Sequence, residues 1–89
     1  MRAVITVIGR DTVGIIARIS NILSEFGVNI EEISQTILQE YFAMIMLADI
    51  SGLTLPFTEL HSRLDRAGQE IGVKVHIQHE DIFNAMHTI

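Results

Sequence analysis

The run Tyr41-Phe42-Ala43-Met44-Ile45-Met46-Leu47-Ala48 is the longest unbroken apolar stretch in the chain, and it constrains the fold more than any other feature. Eight residues are far fewer than the about 20 a membrane helix needs. They match the length of a strand. An antiparallel strand with one wetted face alternates apolar and polar side chains, so a strand apolar on both faces must be covered on both. Residues 3 to 8 (Ala-Val-Ile-Thr-Val-Ile) are nearly as apolar and rich in β-branched side chains, which favour a pleated backbone.

The chain that must provide this cover is short. It has 89 residues, no cysteine, and a formal charge of 6 − 11 = −5. We expect a single domain over 1–89, and a domain this small buries only about 60% of its unfolded surface. Disulfides cannot supplement it, and thiolate chemistry and Cys-type zinc sites are excluded. A mean hydropathy of +0.37 leaves an apolar surplus for so small a chain. Six Lys and Arg with no basic cluster do not make the cationic footprint that nucleic-acid phosphates require. No signal-peptide core precedes Gly9-Arg10-Asp11, so a cytoplasmic protein is expected.

Hydrophobic periodicity orders the rest. Ile15, Ile19, Ile22 and Phe26, with Ile16 and Leu23, recur at the 3-and-4 spacing of an amphipathic helix, which Gly27 stops. Residues 28 to 38 read as a second strand with Ile33, Gln35 and Ile37 on one face. Ile30 is out of phase with Ile33, which predicts a bulge near Glu31-Glu32. Gln39-Glu40 is a hairpin turn into a third strand over 41–50. Phe57, Leu60, Leu64, Ala67 and Ile71 give a second helix, with Thr54 as the expected N-cap and Pro56 in its first turn; Gly72 ends it. Val73, Val75 and Ile77 alternate with Lys74, His76 and Gln78 in a fourth strand. Ile82, Phe83, Met86 and Ile89 lie on one side of a short terminal helix. The expected fold is α+β, a ferredoxin-like βαββαβ arrangement: an antiparallel four-stranded sheet, two helices on one face, and a C-terminal helix. Its second sheet face needs cover, from another copy, from the terminal helix, or from both. A homodimer or higher homo-oligomer is the leading expectation.

The loop Gly9-Arg10-Asp11-Thr12-Val13-Gly14-Ile15 joins the first strand to the first helix, where unpaired N–H groups and the helix dipole favour an anion. Gly14 in a first helical turn is a poorer helix former than alanine by about 1 kcal/mol. Two readings fit it: a ligand approaches the backbone closely, or a packed side chain does. Asp11 is either an ordinary N-cap or the partner of an ammonium group. Asn29, in Gly27-Val28-Asn29-Ile30, is either a turn residue or a ligand contact offering both donor and acceptor.

These residues resemble those of the ACT domain family. Gly9-x-Asp11-x-x-Gly14-Ile15-Ile16-Ala17 after a strand, with Gly27-Val28-Asn29-Ile30 at the helix end, is the pattern, covering about 3–78 and followed by a helical extension over about 80–89. His76-Ile77-Gln78 and Ile82-Phe83-x-Ala85-Met86 further resemble small stand-alone ACT proteins of unassigned function in bacteria and archaea, themselves similar to the ACT-domain regulator of the glycine cleavage system. The resemblance implies a regulatory module that binds a small molecule, usually an amino acid, where two domains pair. The ligand-binding positions it implies are Asp11, Thr12, Val13, Gly14, Ile15, Asn29 and Ile30, with Asn29 often from the other subunit. Pairing in the family is side by side into an eight-stranded sheet, or face to face. In a departure from the usual family case, no attached catalytic or DNA-binding domain is expected.

Three rival readings compete with this one. An enzyme needs an activated nucleophile with its base, or a cationic phosphate cradle, and Arg10 alone supplies neither, so no catalytic residue and no cofactor are expected. A metal site would have to use His76, His79 or His87, and His76 and His79 converge only if the strand ends between them. An oligomerisation or protein-docking module with no small ligand is the alternative to amino-acid sensing; there Met44 and Met46 would serve adaptable packing, although a core strand accounts for them equally.

Overall fold

Strand β1 (Arg2–Arg10) runs through the centre of the sheet, and its odd-numbered residues Ala3, Ile5 and Val7 are completely buried against the helices. The computed structural model describes residues 1–10 and 14–87, and of Leu38, Phe83, Met86 and His87 only the backbone. After β1 come α1 (Ile15–Glu25), β2 (Asn29–Leu38), β3 (Tyr41–Asp49), α2 (Phe57–Ile71), β4 (Val73–His79) and α3 (Glu80–His87). The sheet order is β2-β3-β1-β4 with every neighbour antiparallel. This is the expected βαββαβ arrangement with a C-terminal helix.

One core forms beneath the helices. Phe42, Met44, Met46 and Ala48 of β3 and Val73, Val75 and Ile77 of β4 meet Ile15, Ile19, Ile22 and Leu23 of α1 and Leu60, Leu64 and Ala67 of α2. Met44 and Met46 are therefore core side chains. An Arg18–Glu70 ion pair joins the exposed sides of α1 and α2, and the Arg63 guanidinium lies 5.7 Å from the Phe26 ring centre.

The register of β2 slips between Ile30 and Glu32, which is the bulge the phase change predicts. Gln39 carries the hairpin at φ 58. Phe26 is the C-cap of α1, and beyond it Gly27 is left-handed, φ 75; Val28 N–H donates to the Leu23 carbonyl at 2.9 Å. Gly72, φ 82, closes α2 in the same hand.

Thr54 is not the N-cap of α2. Pro56 occupies that position with no side-chain cap, and its carbonyl accepts from the N–H groups of Glu59 and Leu60. A proline forces the preceding residue, Leu55, out of the helical region, so a helix cannot start at Thr54. Thr54 N–H donates instead to the Phe26 carbonyl at 3.0 Å, tying the approach to α2 onto the end of α1.

The sheet face away from the two long helices is only partly covered. Val4 lies on that face and is buried, with α3 packed against β1 and β4. Ile8, Ile45 and Tyr41 on the same face are 54%, 47% and 50% exposed. The edge strand β2 is exposed at every residue from Glu31 to Ile37, including Ile33 and Ile37 on its helix side. Ile82 of α3 is also exposed; Ile89 and the side chains of Phe83 and Met86, expected on the same side of that helix, lie outside the described residues.

Candidate functional site

The start of α1 is where the loop after β1 delivers the chain, and Gly14 stands at its N-cap rather than inside its first turn. Its backbone is left-handed, φ 89 and ψ 4, a conformation that costs an L-residue roughly 1–2 kcal/mol, so glycine is required by dihedral angle rather than by crowding. Among the described residues beyond its two chain neighbours, a Cβ built there meets no atom within 4 Å, so none of their side chains packs on Gly14. Its carbonyl accepts from Arg18 N–H at 2.9 Å, which opens the helical ladder.

The N–H groups that follow have no partner within the helix. The first turn of α1 also contains no acidic side chain, so the positive end of the helix dipole is not offset there by the helix's own residues. Ile15 is buried and anchors this turn to the core. Asp11, Thr12 and Val13, the other expected loop contacts, lie outside the described residues.

Asn29 is exposed at the first position of β2, opposite Asp49, which in turn lies opposite Arg2. Gly14 follows the other end of β1, beyond Arg10. Eight residue steps from Arg2 to Arg10 at about 3.3 Å each separate the two ends by roughly 26 Å. One protomer therefore does not bring Asn29 and Gly14 together. Ile30, half-buried beside Asn29, packs against the core.

At the Gly14 end, the register sets Arg10 opposite Tyr41 on the open face, a juxtaposition the sequence reading did not make. The two-residue hairpin at Gln39-Glu40, which fixes where β3 begins, was the available signal.

At the Asn29 end, the Asp49 carboxyl is held below its ordinary value, first by the hydrogen bond from Ser51 N–H at 2.9 Å and then by the Ser51 side chain. A lowered native pKa contributes stability above the unfolded value near 3.9, and that contribution is lost as the pH falls through the native value. Asp49→Ala should therefore melt below wild type at pH 7. The gap should narrow on acidification below about pH 4; thermal melts showing a constant gap from pH 7 to 2 would contradict this assignment.

His76 and His79 do not converge. Strand β4 continues through His79, so His76 and His79 point to opposite faces. The His79 ring stacks on Phe57 of α2 with centroids 4.5 Å apart, and His76 Nε2 lies 3.4 Å from Gln78 Oε1. Among the described residues no group of three His, Asp or Glu side chains could hold a metal ion, and no helix is long and apolar enough to cross a membrane. The side chain of His87 lies outside them.

The sequence profile of the ACT domain matches residues 2–78. The chain belongs to the ACT domain family. A UPF0237 protein of Listeria innocua is 54% identical over 89 residues, the full length of both chains. The solved ACT domain protein from Streptococcus pneumoniae superimposes with a TM-score of 0.80 at 44% identity, over 98% of each chain. A structure described as a glycine cleavage system transcriptional repressor superimposes with a TM-score of 0.72 over 86% of this chain and 44% of that one; at 23% identity it shows a shared fold. ACT domains are regulatory domains that bind small molecules.

Proposed function

We propose that this ACT domain is an amino-acid sensor that works as a homodimer in the cytoplasm, with no catalytic step of its own. The ligand carboxylate docks on the backbone amides of Thr12, Val13, Gly14 and Ile15, and its ammonium group meets Asp11. Asn29 and Ile30 of the adjoining subunit close the site. The observation that carries this reading is the open, acid-free start of α1 at Gly14. Such a helix terminus favours an anion, and an amino acid brings the cation that Asp11 requires.

The placement of Gly14 and Asn29 at opposite ends of β1, a strand about 26 Å long, supports a site made by two chains. A two-fold axis beside β2 would run the two edge strands antiparallel and bring Asn29 of one chain toward the Gly14 end of the other. The long exposed edge strand, which carries Ile33 at 45% and Ile37 at 59%, offers unpaired backbone groups of the kind that chains cover by pairing. The same exposed edge also suits a pure oligomerisation module without a ligand. Thermal melts in the presence of each of the twenty amino acids at millimolar concentration separate the two. Sensing predicts a rise for at least one, because a ligand that binds only the folded state stabilises it by about 2.7 kcal/mol at 100 times its Kd. No rise for any of them favours the module without a ligand.

A further inference from the structure

A groove of about 410 Å³ runs along α2 where the end of α1 and the chain before α2 meet it, a volume within the range of small-molecule sites. Buried Phe26 and Leu55, which is 46% exposed, form its apolar part. Thr58, Ser62 and Arg66 follow at intervals of four along the helix, so two hydroxyls and a guanidinium share one stripe of it. Arg63 stands beside that stripe. Its guanidinium is held twice over, 3.3 Å from a Glu25 carboxylate oxygen and 5.7 Å from the centre of the Phe26 ring. The Glu25 contact leaves most of its five N–H donors unused.

Carboxylates also stand near these cations. Glu25 is paired with Arg63, and Glu70, one turn beyond Arg66, is paired with Arg18. Glu59 lines the groove but lies in the first turn of α2, where the positive end of the helix dipole offsets its charge. Asp65 precedes Arg66 in the chain and is not part of the lining. Arg66 makes no hydrogen bond or ion pair among the described residues, so the groove holds one unanswered cation beside two hydroxyls and an exposed leucine. A second depression of this volume, beside Met1 and Ile82, differs in that its guanidinium, Arg2, is already gripped by Glu80 at 2.8 Å and Glu31 at 3.6 Å.

We propose that the α2 groove binds a small carboxylate carrying an apolar body. The carboxylate accepts from the Arg66 guanidinium, from the Ser62 and Thr58 hydroxyls, and from the unused N–H groups of Arg63, while the body rests on Leu55 and Phe26. A planar guanidinium fork matches the two oxygens of a carboxylate, and charge-assisted bonds of this kind are the strong ones. Glu59 in the same lining disfavours a second negative charge, so a monoanion fits better than a phosphate. Inorganic phosphate would also leave Leu55 unused. The groove includes neither Gly14 nor Asn29 nor the β2 edge, so this site stands or falls independently of the sensor reading.

Chemical-shift titration of the isotope-labelled full chain with isocaproate tests it. Saturable shifts are expected at the backbone amides of Leu55, Thr58, Ser62 and Arg66 at millimolar ligand, with Ile15 and Asn29 unmoved. Isocaproamide lacks the charge, acetate lacks the apolar body, and inorganic phosphate lacks both the shape and the body; each should bind at least about tenfold more weakly. Arg66→Gln should weaken isocaproate by about tenfold or more, and an exposed side chain without a partner can be replaced with little effect on the fold. Should that variant not fold, Ser62→Ala serves in its place, with a loss of about tenfold expected. Leu55→Ser should weaken isocaproate while leaving acetate unchanged. Four results would overturn the inference: no saturable shifts in the groove; isocaproate binding unchanged in the folded Arg66→Gln chain; phosphate or isocaproamide binding as tightly as isocaproate; or N-acetyl-aspartyl-leucinamide binding more tightly than isocaproate, which would assign the groove to a protein partner.

Discussion

Gly27→Ala should be among the most destabilising single-methyl additions in this protein, lowering stability by about 2–5 kcal/mol. Two costs combine. Gly27 is left-handed at φ 75, which costs an alanine roughly 1–2 kcal/mol. Its Cβ would also stand 2.5 Å from the Gly52 carbonyl oxygen, a backbone atom that cannot swing aside, and overpacking of this sort costs about 1–3 kcal/mol more. For a domain of this size each kcal/mol moves the melting midpoint by about 4–8 °C, so a drop of roughly 8–40 °C is expected. Gly14→Ala is the control. It has the same dihedral cost at φ 89 but open space for its Cβ, and should lose only about 1–2 kcal/mol. Equal losses at the two sites would show that the close approach of the Gly27 turn to Gly52 is not what holds the end of α1 against the loop before α2.

Asn29→Ala and Asp11→Ala should each weaken amino-acid binding by roughly 10–150-fold while leaving the fold and the assembly mass unchanged. A hydrogen bond to a charged group is worth about 1.5–3 kcal/mol, and each substitution removes one such contact to the ligand's charged ends. Asn29 is exposed, so the melting midpoint without ligand should move little. A loss of assembly together with binding would instead assign Asn29 to the subunit contact.

Most of the fold could be read from the residues because the competing signals agreed. The 3-and-4 spacing of Phe57, Leu60, Leu64 and Ala67 and the alternation of Val73, Val75 and Ile77 each report a single buried face, and those faces meet in the one core. The phase slip between Ile30 and Ile33 predicted the bulge because a strand shows its register directly in its side-chain alternation. Thr54 misled because N-cap preference was weighed without the constraint that Pro56 imposes on Leu55. Gly14 misled in a different way. Helix periodicity locates a helix but not the dihedral angles at its entrance, so a left-handed cap looked like an unfavourable glycine in a first turn.

The site was less legible than the fold. That Asn29 and Gly14 lie apart is already implied by the helix between them, since α1 begins after Gly14 and ends before Asn29. Strand pairing is non-local, and which residues stand beside each of them appears only once Asn29 is set opposite Asp49, and Asp49 opposite Arg2. The apolar run at 41–48 was more informative. Its even-numbered residues entered the core, and its odd-numbered ones, Tyr41, Ala43 and Ile45, remain at the surface.

The measurement closest to the central claim mixes two inactive variants. Asp11→Ala lacks the loop contact and Asn29→Ala lacks the contact from the adjoining subunit, so neither homodimer has a complete site. After subunit exchange in an equimolar mixture, half of the dimers are mixed, and each mixed dimer holds one site built from the intact Asp11 loop of one chain and the intact Asn29 of the other. Calorimetric titration with the stabilising amino acid should then recover about one quarter of the wild-type sites at wild-type affinity. A mixture that binds no better than the separate variants would contradict a site shared between two copies of this chain.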